Sequence, residues 1–423
     1  MRVVSMEDLK PGMILVSDLR TSKGRLILPT GHRLTEERIK IARIWGITEA
    51  KVEGPPVDEE DLDLFACFDP DVTSVLQAMV NWRFAGCDRN FQVHKKLEWL
   101  FTKKITQGLD RKNARKVVEK YRGRDDHLKK LICHEPEKKK IDMESLVKRE
   151  VELVSLPDVF YEIMEVVKSP VSSAAHIAEV ISKDTSLSSR MLKLVNSTFY
   201  SFISRIDTLS RAVTIVGTVE ITNLAMGISV TSMFDDIPED IVNVNDFWEH
   251  SIAVGVLARI LAAEAGMPDT ERVFVGGLLH DIGRMVLIKH HPDVCAGILL
   301  AAAEQPVPLY QLERKHTGFT HADLGEALLK EWNIPPTLAD ILARHHARSW
   351  DNLDEALLVQ IADSIAHGMG FGHSGSRRVT PIDKEAWQVT GLKPSVLTKV
   401  VSQTSNQLRD LMQIIVPGSG DEG

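Results

Sequence analysis

The stretch AAHIAEVISKDTSLSSRMLKLVNSTFY, residues 174–200, decides the fold class. Ile177, Val180 and Ile181 recur at intervals of three and four, and Leu187, Met191, Leu194 and Val195 do the same. Each set therefore lies on one face of a helix, and each helix must bury that face against a neighbour. Asn196 stands near the end of the second helix, where its side chain serves as a cap or turn residue. The same patterning dominates from residue 142 to the end, with turn signals at Ser169-Pro170, Ile237-Pro238, Gly266-Met267-Pro268 and Ile334-Pro335-Pro336. No fixed period repeats, so an all-α assembly is expected rather than a solenoid.

Toward the N-terminus the pattern changes. Residues 1–54 alternate apolar and polar positions in short runs such as Met13–Val16 and Leu26–Leu28, broken by Pro11-Gly12, Lys23-Gly24 and Thr30-Gly31, which reads as strands and turns. Thr35 precedes a helical stripe of Ile39, Ile41, Ala42 and Trp45 that Gly46 stops, and a last strand, EAKVEG, follows. GPPVDEEDLD at 54–63 has the composition of a linker. Residues 65–133 turn helical again, and the charged run HEPEKKK at 134–140 marks a second boundary. The expected fold is thus mainly α: a small α+β domain at 1–54, a helical middle segment at 65–133, and an all-helical module at 142–416. Cys67, Cys87, His94, Cys133 and His134 match no zinc or iron–sulfur spacing, so the cysteines read as ordinary free thiols.

Composition narrows the function classes. The 423 residues are 43% hydrophobic and 26% charged, near the averages for packed globular chains. The N-terminal residues carry no secretory signal pattern. The longest apolar runs, such as AGILLAAA at 296–303, are far short of the roughly 20 residues that cross a bilayer. Four scattered cysteines fit a reducing compartment. A cytoplasmic protein with no membrane anchor is expected. A net charge of −8 argues against a nucleic-acid coating role. Residues 91–140 carry about nine more basic than acidic side chains, which reads first as a solvated helical face and second as a docking surface for an acidic partner.

Titratable groups stand where core packing alone would not require them: His250, His280-Asp281, His321, His345-His346 and Asp363, each within or at the end of an apolar helical pattern. A single histidine on such a helix is ordinarily a satisfied core residue; the ordered set is what points to ligands. Imidazoles mixed with carboxylates suit Fe, Mn, Ni or Zn rather than Mg or Ca. Ligands converging from several helices can hold two ions about 3.5–4 Å apart and activate a bridging water to attack phosphorus. The other histidines, including His290, His291, His316, His367 and His373, read as surface or packing residues.

Residues 155–227 resemble the HDOD family in the Leu156-Pro157 entry, the helix ending near Ser169-Pro170, ISKDTSL at 181–187, LKLVNSTFY with Asn196, and SRAVTIVG with Gly217. On that resemblance the HDOD helices run over 151–232 and HD-like helices over 240–370. The ligand order resembles the HD superfamily: His250, His280, Asp281 and Asp363 match its basic set, while His321, His345 and His346 match the residues that add a second ion in HD-GYP phosphodiesterases. Asp246 stands where some HD-GYP proteins carry an extra Glu ligand. Asp281 and Arg284 are the catalytic candidates. Arg284 replaces the family's Lys and could bind a phosphate oxygen. HHARSWDNLDEA at 345–356 lacks the DGxGYP loop, which argues against cleavage of cyclic-di-GMP. Residues 1–54 are similar to the N-terminal accessory domain of HD-GYP-type signalling proteins.

Two functions follow from these resemblances. The first is a bacterial signal-transduction protein whose output module binds a regulatory protein partner or a nucleotide second messenger, with any metal stabilising the fold. The alternative is a metal-dependent phosphohydrolase acting on a nucleotide or cyclic dinucleotide. Nucleic-acid binding through 91–140 is a weaker third.

Overall fold

The computed structural model describes residues 2–21, 24–53, 64–66, 68–107, 109, 141–153, 158–168, 173–200, 202, 204–234, 241–305 and 307–416. The expected linker at 54–63, the run at 134–140, most of the basic stretch, Leu156-Pro157, Ser169-Pro170, Ile237-Pro238, Cys67, Cys133 and His134 lie outside the described residues.

The chain is mainly helical, with a small strand region at its N-terminus. That region comprises β1 (Arg2–Ser5), β2 (Leu19–Arg20), β3 (Leu26–Leu28), α1 (Glu36–Ile44) and β4 (Glu49–Val52). β1 pairs antiparallel with β4, setting Val3 opposite Lys51, and β2 pairs antiparallel with β3. The Met13–Val16 run, read as a strand, makes isolated bridges only, Ile14 to Arg33 and Leu15 to Val52. The Thr35 hydroxyl accepts the Arg38 backbone N–H at 3.3 Å, which starts α1. Gly46, at φ 68°, takes the left-handed turn that ends it. Val4, Met6, Leu15, Leu34, Ile39, Ala42 and Val52 close a separate small core.

The helices that follow are α2 (Pro70–Arg83), α3 (Gln92–Thr106), α4 (Met143–Leu153), α5 (Asp158–Lys168), α6 (Ala174–Ser182), α7 (Thr185–Val195), α8 (Leu209–Val216) and α9 (Thr218–Thr231). Next come α10 (Val244–Glu264), α11 (Thr270–Leu279), α12 (Ile282–His290), α13 (Pro292–Glu304), α14 (Leu309–Thr317) and α15 (His321–Glu331). The last four are α16 (Pro336–Arg344), α17 (Glu355–Met369), α18 (Lys384–Val389) and α19 (Val396–Ile415). On α6 and α7 the residues buried include Ile177, Val180, Ile181, Leu187, Met191, Leu194 and Val195, the stripes read from spacing. Asn196 caps α7: its Nδ2 donates to the Leu192 and Ile206 carbonyls and its Oδ1 accepts the Ile206 N–H, each at 2.8 Å. Among the described residues no single helix is long and apolar enough to cross a membrane.

α10 is the axis of the main core and packs against α11, α17 and α19. It meets α11 glycine on glycine, for a Cβ on Gly277 would lie 2.7 Å from the Gly255 Cα. The middle helices share this core: Val80, Phe84, Val93, Leu97, Leu100 and Phe101 join one apolar cluster with α5 to α19. Leu97 is fully buried, a contribution of about 1.5–3 kcal/mol, and packs where Gly368 of α17 has no side chain. The Arg83 Nη1 donates to the His367 carbonyl at 2.5 Å and the Lys104 Nζ to the Met369 carbonyl at 2.9 Å. The second satisfies a last-turn carbonyl of α17, and the first adds to the Gly370 N–H that already reaches the His367 carbonyl at 3.2 Å. His94 is no free ligand: its Nε2 accepts the Ile382 N–H at 2.9 Å, and burial holds its pKa below the usual histidine value.

Candidate metal centre

Each candidate ligand sits at a position that its helix fixes. His250 lies within α10 and is fully buried. His280 and Asp281 occupy the break between α11 and α12, so consecutive residues project from the end of one helix and the start of the next. His321 is the first residue of α15, whose start is set by a capping box between Thr320 and Asp323. His345 ends α16 and His346 follows it, while Asp363 lies within α17.

The structure brings all seven together around two adjoining points, within three potential ligand groups of which two share His250. Around the first point, His250 Nε2 lies 3.1 Å from Asp363 Oδ1 and 4.0 Å from Asp281 Oδ2, and His280 Nε2 lies 3.3 Å from Asp281 Oδ2. Around the second, His321 Nε2 is 3.1 Å from the Nε2 atoms of both His345 and His346. Asp281 joins them, with Oδ1 3.0 Å from His321 Nε2.

Ring orientation follows from the opposite edges. Nδ1 of His280 donates to the Gly277 carbonyl at 2.7 Å, Nδ1 of His345 donates to the Leu342 carbonyl at 2.6 Å, and Nδ1 of His321 donates to Glu313 Oε2 at 2.5 Å. Such bonds turn the Nε2 lone pairs inward, the arrangement found behind metal-bound histidines. Buried atoms are left without hydrogen-bond partners at His250 Nδ1 and Nε2, His280 Nε2, Asp363 Oδ1 and His367 Nε2. Orphaned polar atoms so densely grouped are costly unless something pairs with them. A transition ion fits that need and this donor set.

The charges also suit a cation. Burial alone would raise Asp281, but Arg284, His280 and His321 outweigh it and hold the carboxyl well below the usual range. Burial would likewise raise Asp363, and His367 and His250 overcome it. Burial, aided by His367, lowers His250 to about 4, and burial with His321 and His280 lowers His345 to about 3. His346 falls well below its usual value for the same reasons, burial first and His345 next. His280 and His321 run the other way: burial pushes both down, but Asp281 raises His280, and Glu313 with Asp281 raises His321.

Arg284 turns inward. Its Nε donates to Glu313 Oε1 at 2.9 Å, its Nη1 to Asp281 Oδ2 at 2.6 Å and to Ser374 Oγ at 2.5 Å, and its Nη2 lies 2.8 Å from His321 Nδ1. Its Nε and Nη1 are thus directed at the protein's own acceptors. Asp246 belongs to neither group and pairs with His373 at 3.2 Å.

Three members of the site were not read from sequence. His367, taken as a packing residue, places Nδ1 2.9 Å from Asp363 Oδ1 and completes a third potential ligand group with His250 and Asp363. Its signal was the four-residue spacing from Asp363, one turn along the same helix face. Glu313 and Ser374, which hold Arg284 and His321, carry no motif. His346 is the one half-buried histidine of the set. Tyr310 stacks on its ring at 4.3 Å, beside a hollow of about 450 Å³ that Arg314, Lys315 and Arg348 help to line.

Several helices thus gather histidines and aspartates around one buried place. Residues 153–348 match the HDOD domain, so the chain carries an HDOD domain. An uncharacterized protein of Treponema pallidum is 26% identical over 48% of this chain and 39% of its own length. Ribonuclease Y of Clostridium perfringens is 30% identical over 31% of this chain and 20% of its own. The chain thus spans well under half the length of either relative. A candidate phosphohydrolase of Shewanella amazonensis has a similar fold, with a TM-score of 0.50 and 22% identity, covering 64% of this chain and 100% of that one.

Proposed function

We propose that this chain is a bacterial signal-transduction protein, cytoplasmic in location, whose HDOD module regulates by binding a protein partner or a nucleotide ligand, with a bound transition metal stabilising its fold. The observation that carries this reading is the group of converging imidazole nitrogens, several of them buried without partners, beside two ionised carboxylates. His250, His280, Asp281 and Asp363 would hold one ion and His321, His345 and His346 a second, with Asp281 between them and His367 supporting Asp363. Ions bound to the folded state alone stabilise every helix that supplies a ligand, which couples α10, α11, α15, α16 and α17. Burial of nearly the whole set favours this fold-fixing role over rapid turnover, because a substrate must reach a metal to be hydrolysed.

A second reading, hydrolysis of a nucleotide phosphoester, draws on the hollow beside His346 and its three basic residues. A bound transition ion would supply a Lewis acid and an activated water there. This chain's own residues would attract the anionic substrate through Arg314, Lys315 and Arg348, while Arg284 holds Asp281 in place. Assays of the manganese- and iron-loaded protein on cyclic-di-GMP and bis(p-nitrophenyl) phosphate separate the two. Negligible turnover with tightly held metal is the expected result, and fast metal-dependent turnover abolished by His345→Ala would replace the first reading by the second.

A further inference from the structure

A second candidate site lies where the N-terminal region meets the helical core. A cleft of about 470 Å³ is lined on one side by Arg25, Arg43 and Trp45, and on the other by Phe199, Arg259 and Lys399 with Asn406 and Gln407. No member of the metal-site groups lines it. Its volume falls within the roughly 300–1,000 Å³ usual for small-molecule sites.

Three features describe what would fill it. The first is charge: four basic side chains, Arg25, Arg43, Arg259 and Lys399, face one acid, Glu264, in a chain whose net charge is −8. Lys399 is engaged by Glu264 at 2.7 Å and Arg259 by Glu271 at 3.2 Å, but among the described residues no carboxylate pairs with Arg25 or Arg43. Arginine forks match phosphate oxygens two at a time, so a pair without carboxylates favours a phosphorylated ligand. The second is aromatic surface, from Trp45, which already carries Arg25 at 4.2 Å from its ring centre, and from Phe199 and Tyr200. The third is unmet hydrogen bonding. Arg259 Nε, Asn406 Nδ2 and Gln407 Oε1 are buried without partners, and all three belong to residues lining the cleft. Amide donors and acceptors beside aromatic rings suit the polar edge and flat faces of a heterocyclic base.

We propose that this cleft binds a nucleotide, its phosphates on Arg25, Arg43 and Lys399 and its base among Trp45, Asn406 and Gln407. The assignment gives the regulatory role proposed above a particular ligand class and location, and rests on that role only for its consequence. Described polar contacts holding the N-terminal region to the middle helices are Lys103 Nζ to Asp8 at 2.5 Å and Gln107 Nε2 to Asp8 at 3.3 Å. A ligand gripped from both sides would therefore fix the position of the N-terminal region against the HDOD module.

The test is isothermal titration of the full chain with ATP and with GTP, in EDTA so that no metal contributes, with inorganic triphosphate and adenosine as separate arms. Saturable binding of at least one nucleotide is expected, clearly tighter than triphosphate or adenosine alone. Arg43→Glu and Lys399→Glu, both at cleft positions outside the apolar core, should each weaken it about tenfold or more, and His345→Ala should leave it unchanged. Metal content measured on the same samples keeps failure here distinct from failure of the metal reading. The proposal is overturned if neither nucleotide saturates at millimolar concentration, if triphosphate binds as tightly as the nucleotide, if Arg43→Glu has no effect, or if His345→Ala removes binding.

Discussion

Oδ1 of Asp281 lies 3.0 Å from Nε2 of His321, and this contact joins the two ligand groups into one centre. Asp281 reaches the second group because the chain breaks between α11 and α12 at that residue, so its Oδ1 faces His321 of α15 while His280 faces His250 of α10 and Asp363 of α17. A side chain in this position governs both groups at once.

Metal binding should release protons. His280 and His321 have raised pKa values, so at about pH 6.5 each still carries much of its second proton, whereas His250, His345 and His346 are neutral and the carboxylates already ionised. A metal must displace the protons of the first pair, so titration of Mn or Zn at that pH in buffers of different ionisation enthalpy should report net proton release. A buffer-independent heat would contradict this displacement.

Gly283 tests the packing behind the site. A Cβ there would lie 2.2 Å from the His321 carbonyl oxygen and 2.6 Å from the Gly325 nitrogen, so α12 and α15 approach through the absence of a side chain. Gly283→Ala should push α15 outward, costing about 1–3 kcal/mol or somewhat more in urea unfolding, and should weaken metal binding although no ligand is changed. Unaltered stability and unaltered metal affinity would mean that this approach does not position His321.

Much of this arrangement was legible in the sequence because it depends on local pattern. The stripe from Leu187 to Val195, the cap at Asn196 and the helical context of all seven ligands follow from spacing, and the order of the seven predicted their meeting. What spacing could not show is long-range. Glu313 stands in LYQLERKHT, where an acid reads as solvent-facing, and it is buried because Arg284 and His321 arrive from α12 and α15. The inward turn of Arg284 depends in the same way on Ser374, 90 residues away. His367 shows the opposite case: the signal was present in its distance from Asp363, and reading it as a packing residue overlooked that both share one helix face.

The buried pair of Arg284 and Glu313 supports the site more than it serves chemistry. Its Nε to Oε1 distance is 2.9 Å and the two side chains are 7% and 2% exposed. Glu313→Ala removes one partner and leaves a buried guanidinium short of an acceptor, which should cost about 3–5 kcal/mol in the metal-free protein, with Glu313→Gln costing less. Burial would raise the Glu313 carboxyl, but His321 and Arg284 lower it to about 2. A depressed carboxylate stabilises fully above its unfolded pKa of about 4.5 and loses that contribution as pH falls through its folded value, so the gap between wild type and variant should shrink toward pH 2. A loss of about 1 kcal/mol or less, independent of pH, would place the pair among ordinary solvent-exposed bridges.

The central claim is that the gathered histidines and aspartates hold metal, and elemental analysis of the full chain tests it most directly. Protein prepared without chelator and supplied with Mn or Fe should retain about one to two transition ions per chain through gel filtration. Asp281→Ala, which touches both ligand groups, should reduce this to background while circular dichroism still reports a helical protein. A folded wild-type chain that emerges with no stoichiometric metal under those conditions would contradict the account.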